Sequence, residues 1–232
     1  MAGALGWGAL AASSLLIGGF LGLARSWPRL LVGLVLAFGA GALISAVSFD
    51  LFEEGTAIGG PGWVAAGLAI GALTYFLLDS LIERGGSEGS AGGAGLALGA
   101  LLDGIPEQMV LGIGIAAGDG VSVGLLAAIF VSNLPEAVGA SADLRAAGHR
   151  SDTVRRLWIV VAAICTAAAV VGYALADVTS GDLQAVVNGF AAGALLVMLV
   201  DTMIPDARNK GNRGAGLATV FGFAVAAGLT SL

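Results

Sequence analysis

The chain has 232 residues, of which 57% are hydrophobic and 11% charged, and its formal charge is -6. A mean hydropathy of +0.95 places it in a membrane rather than in a soluble domain, and the acidic balance excludes a nucleic-acid partner. Glycine is abundant at 39 residues, which suits helices that meet through small faces. We therefore expect one tight transmembrane domain over 1–232, surrounded by lipid and able to form a homodimer.

In chain order, apolar runs of about 20 residues predict an all-α integral membrane protein with eight transmembrane helices. They fall at about 4–23, 30–52, 62–83, 93–117, 121–146, 155–176, 184–205 and 214–231. No Lys or Arg precedes the first run, while Arg25 and Arg29 follow it, so it lacks the form of a cleaved signal peptide. The basic residues are Arg25, Arg29, Arg84, Arg145, Arg150, Arg155, Arg156, Arg208, Lys210 and Arg213, all in alternate connections; 53–61, 118–120 and 177–181 hold none. The positive-inside rule then sets both termini outside the cytoplasm. Little lysine beside much Ala, Gly and Arg is the composition of a prokaryotic chain, whose membrane would be the cytoplasmic one. Cys165, in the sixth run, reads as a small buried hydrophobe.

The second and seventh runs share a short repeat, Phe38-Gly-Ala-Gly-Ala-Leu43 and Phe190-Ala-Ala-Gly-Ala-Leu195, each followed by a late intramembrane acid. Five spans separate the copies, and an odd offset reverses orientation. Helices 1–3 and 6–8 are thus expected to be inverted repeats around helices 4–5, a plan that places substrate near the midplane.

The fourth and fifth runs contain Asp103-Gly104-Ile105-Pro106-Glu107 and Ser132-Asn133-Leu134-Pro135-Glu136. An ionised carboxylate at a bilayer centre costs roughly 2.5 to 3.5 kcal/mol on the mildest scale, so Asp103, Glu107 and Glu136 need compensation. Each proline frees a carbonyl, that of Leu102 or Val131, which can turn toward a cation. The short 4–5 connection forces an antiparallel pair. Counted from Asp119, Asp103 lies level with Glu136 at about 24 Å along the helices, and Glu107 with Ser132 at about 18 Å. The spacings i,i+4 and i,i+3 let each set share a face. The residues alone allow two readings, a cation site or a cluster of neutral, hydrogen-bonded carboxyls.

Eight spans, both ends outside and Pro-Glu on helices 4 and 5 resemble the ZIP (Zrt/Irt-like protein) family of divalent-metal transporters over most of the chain. Against the family's His-Asn-x-Pro-Glu-Gly on helix 4, Asp103 stands at the His, Gly104 at the Asn, Pro106 and Glu107 match, and Gln108 replaces the Gly. Against its fifth-helix pattern stand Ser132, Asn133, Pro135 and Glu136; the seventh helix, running from Ala-Ala-Gly-Ala-Leu-Leu to Asp201 and Pro205-Asp206, is also similar. The resemblance implies inward transport of a divalent metal, held by Asp103, Glu107, Asn133 and Glu136 with Ser132 and Gln108 assisting.

The departures concern the metal. The one histidine, His149, lies in the 5–6 connection, and helix 6 has no acid between Trp158 and Ala176, so we expect a single core metal without imidazole. Oxygen ligands bind Zn²⁺ less favourably than a site with imidazoles does and tolerate harder ions such as Mn²⁺ or Fe²⁺, which leaves selectivity open. Asp50 and Asp201 are candidate pathway residues, whereas Glu53, Glu54 and Asp206 read as solvated interfacial acids. No phosphate-binding loop points to ATP, and the absence of His-Glu-x-x-His argues against a hydrolase. The alternative function is a proton- or organic-cation-coupled permease whose buried carboxylates titrate rather than bind metal.

Overall fold

The computed structural model describes residues 1–85, 92–117, 121–178 and 181–230. Residues 86–91 of the expected 83–93 connection, 118–120, residues 179–180 of the expected 177–181 connection, and the side chain of Asp103 lie outside the described residues. Everything described is helix or short connection: α1 (Ala2–Ala24), α2 (Arg29–Gly59), α3 (Pro61–Gly85), α4 (Gly92–Ala117), α5 (Val123–Ala146), α6 (Ser151–Val178), α7 (Gly181–Gly211) and α8 (Gly214–Thr230). Six of these, α1, α2, α3, α5, α6 and α7, are long and apolar enough to cross a membrane. With α4 (26 residues) and the shorter α8 (17 residues), the chain is a multi-pass membrane protein of six to eight candidate spans.

Helices α2 and α7 are longer than the expected 30–52 and 184–205, reaching 31 residues each. Both contain a π-helical turn, Val47–Glu53 in α2 and Leu199–Met203 in α7, each after 18 residues of α-helix. Glu53, Glu54 and Asp206 look like loop residues by polarity, yet the backbone stays helical through them. What ends each rod is a residue with positive φ, Gly60 at 88° and Asn212 at 54°, a conformation that breaks a helix.

Packing is built on glycines, as the composition predicts. α3 lies along α7, α2 along α8, α1 along α5 and α4 along α6. At each contact a glycine faces a partner's backbone carbonyl with no room for a methyl. Gly71 faces Phe190 and Gly222 faces Phe38; Gly193 faces Leu68 and Gly41 faces Thr219; Gly172 faces Met109 and Gly22 faces Val138. These contacts come in corresponding pairs, Phe38 and Phe190 being the first residues of the two copies of the sequence repeat.

The connections gather at two ends. At one end Arg145 donates to the Leu23 carbonyl (3.4 Å) and the Ser151 hydroxyl (3.0 Å), and Gly33 packs on Gly211. At the other end Gly59 packs on Gly181 and Ala185. The first end carries the Arg and Lys residues that flank α1, α5, α6 and α7. α4 and α5 are not the side-by-side hairpin that the short connection suggests; each packs chiefly on an outer helix, and the two touch around a buried polar cluster.

Candidate metal site

Glu107 follows Pro106 inside α4 and is 1% exposed. Across from it Ser132 and Asn133, equally buried, precede Pro135 inside α5. The Asn133 amide donates to Glu107 Oε2 at 3.0 Å, and the Ser132 hydroxyl lies 3.4 Å from Oε1 while also donating to the Ile129 carbonyl at 3.0 Å. The depth count that set Glu107 level with Ser132 thus holds. The Asn133 amide on the carboxylate offsets part of its burial.

A cavity of about 30 Å³ adjoins this cluster, enough for an ion or a water. Its polar lining comes from Glu107, Ser132, Glu136, Thr202 and Asp206, and its apolar walls from Leu36, Met198 and Met203. The two core glutamates therefore share one small space with the distal part of α7. Among the described residues no three His, Cys, Asp or Glu side chains cluster closely enough to hold a metal by themselves. An ion in this cavity would meet carboxylate and hydroxyl oxygens, a hard donor set.

The other candidates are placed apart. Gln108 is fully buried but turned toward α1, where a methyl at Gly8 would lie 3.6 Å from its Oε1; neither amide atom has a hydrogen-bond partner. Asp50, on the π-helical turn of α2, accepts the Ser122 hydroxyl on Oδ1 at 3.4 Å, and its buried Oδ2 has no partner. It thereby ties α2 to the N-terminus of α5, which Ser122 also caps through the Leu125 N–H. Asp201 is exposed and borders a wide apolar groove with Leu68, Phe76 and Val200. Cys165 is buried against Gly104, as its apolar setting suggested.

Two cavity residues escape the sequence reading. Asp206, read as a solvated acid, lines the cavity, and so does Thr202. The signal for Asp206 is in the chain: Pro205-Asp206 is a third proline followed by a carboxylate. Asn188 of α7 is also buried against Gly55 of α2, with its Oδ1 unpartnered.

No protein-family model matches the chain. Over 186 residues it is 31% identical to a protein of Arabidopsis thaliana described as a candidate zinc transporter. The match covers 75% of this chain but 30% of the plant protein, so the chain spans less than a third of that relative's length.

Proposed function

We propose that this chain is a divalent metal cation transporter of the ZIP family, not an enzyme, and that it carries its ion through the space between α4, α5 and α7. The observation that carries the reading is the convergence of Glu107, Ser132 and Glu136 on one ion-sized cavity beside two proline-interrupted helices, with Asn133 hydrogen-bonded to Glu107 behind it. Asp103 is the remaining ligand on α4. The similarity to the plant protein supports zinc as a substrate, and the oxygen-only donor set extends the range to Mn²⁺ and Fe²⁺.

In this reading all eight helices cross the cytoplasmic membrane. The end rich in Arg and Lys faces the cytoplasm, and both termini lie outside. Helices α1–α3 and α6–α8 are inverted repeats around α4 and α5, supported by the matched π-helical turns and the corresponding glycine contacts. Such a repeat gives two states of similar energy, and transport proceeds by exchange between them, its inward direction being what the family resemblance implies.

Titration calorimetry of the detergent-purified full chain with Zn²⁺ and Mn²⁺ tests this. The expected result is one ion per chain, lost in Glu107→Gln and Glu136→Gln. Wild-type protein that binds neither ion would reject the proposal in favour of a permease with titrating carboxylates.

A further inference from the structure

We infer that Lys210 acts as a tethered cation at the Arg- and Lys-rich end of the cavity, holding Asp206 until a departing divalent ion displaces it, and so sets how readily that ion is released. The inference rests on the transport reading.

Asp206 is the cavity carboxylate nearest the end of its helix. It shares the lining with Glu107 and Glu136, yet its side chain is 53% exposed, so it reaches both the cavity and the surroundings. Lys210 Nζ lies 2.8 Å from Asp206 Oδ2. The lysine is not a free surface charge, since its side chain is 20% exposed. A methyl at Gly139 would come within 3.5 Å of Nζ, so the ammonium rests on α5, one turn beyond Glu136. It thus bridges α7 to α5 across the end of the polar space.

The formal charges give this position its effect. When ionised, Glu107, Glu136 and Asp206 with Lys210 sum to minus two, which one divalent cation neutralises. Without the ammonium the sum is minus three, and an ion leaving the cavity along these acids toward the Arg- and Lys-rich end would meet an unneutralised trap at Asp206. An i,i+4 pair of this kind is weak in itself, so an arriving ion can open it. The ammonium stays tethered beside Asp206 and competes with the ion for that carboxylate, which shortens the ion's stay.

The test uses the full chain with Zn²⁺ as probe, measuring affinity by calorimetry and release from reconstituted vesicles by stopped flow. Lys210→Gln is expected to bind Zn²⁺ about tenfold more tightly and release it more slowly by a similar factor, whereas Lys210→Arg behaves as wild type. Adding Asp206→Asn to Lys210→Gln should erase the difference. If wild type binds and releases Zn²⁺ but Lys210→Gln does so identically, the lysine only stabilises its helix and the inference fails while the transport reading stands. Wild type that binds no Zn²⁺ overturns both.

Discussion

Asn133 of α5 donates its side-chain amide to the Glu107 carboxylate of α4 over 3.0 Å, in a part of the molecule where both side chains are fully enclosed. This bond joins two helices that otherwise pack on separate partners, at the point where each carries a proline. It serves stability and ligand placement together.

Replacing Asn133 by leucine removes that donor while keeping the branched shape of the side chain. Metal-free protein should lose about 1–3 kcal/mol of stability, the range for depriving a buried polar group of a partner. Zn²⁺ affinity should fall as well, because the carboxylate is no longer oriented. Thermal melts with and without Zn²⁺ check both effects; unchanged melting in both conditions would mean the bond carries nothing.

The paired glycine contacts predict paired phenotypes. Leucine at Gly71 would collide with the Phe190 carbonyl and leucine at Gly222 with that of Phe38, so each should force the helices apart. Both variants are expected to lower the melting temperature by comparable amounts, since close backbone approach is what holds such helices. Gly62→Ala and Gly114→Ala, where a methyl meets nothing within 4 Å, should be nearly silent.

Trp158 is completely buried, donates Nε1–H to the Ser141 hydroxyl at 2.7 Å, and lies against Gly19. It fastens α6 to α5 and α1. Trp158→Phe should cost about 1 kcal/mol for the lost hydrogen bond plus a packing loss. Ser141→Ala should show only the first part, and comparing the two variants' melts separates them.

Much of this arrangement is legible in the sequence because depth in a membrane helix is a residue count along a rigid rod. Counting from one connection placed Glu107 level with Ser132, and they are hydrogen-bond neighbours. Facing is harder to read, because consecutive residues point about 100° apart. Gln108 follows Glu107 in the chain but looks at α1. On α7 the π-helical turn inserts an extra residue into the periodicity, so the face that reaches the cavity is that of Thr202 and Asp206 rather than of Asp201. Asp206 reads as an end residue because polarity alone announces a loop there, whereas the helix continues until Asn212 adopts a positive φ.

The proposed orientation is testable because Cys165 is buried. In intact cells an impermeant maleimide should leave the wild-type protein unlabelled. In a Cys165→Ala background, Ile58→Cys should label and Ala147→Cys should not until the membrane is opened. The reverse pattern would invert the topology.

The most direct test of the central claim is ⁶⁵Zn²⁺ uptake into liposomes holding the purified protein, with Glu107→Gln and Glu136→Gln measured in parallel. The account predicts time-dependent uptake by the wild type that falls to the level of empty liposomes in both variants. Uptake that survives both substitutions would place the ion path elsewhere, and proton flux without metal uptake would contradict metal transport itself.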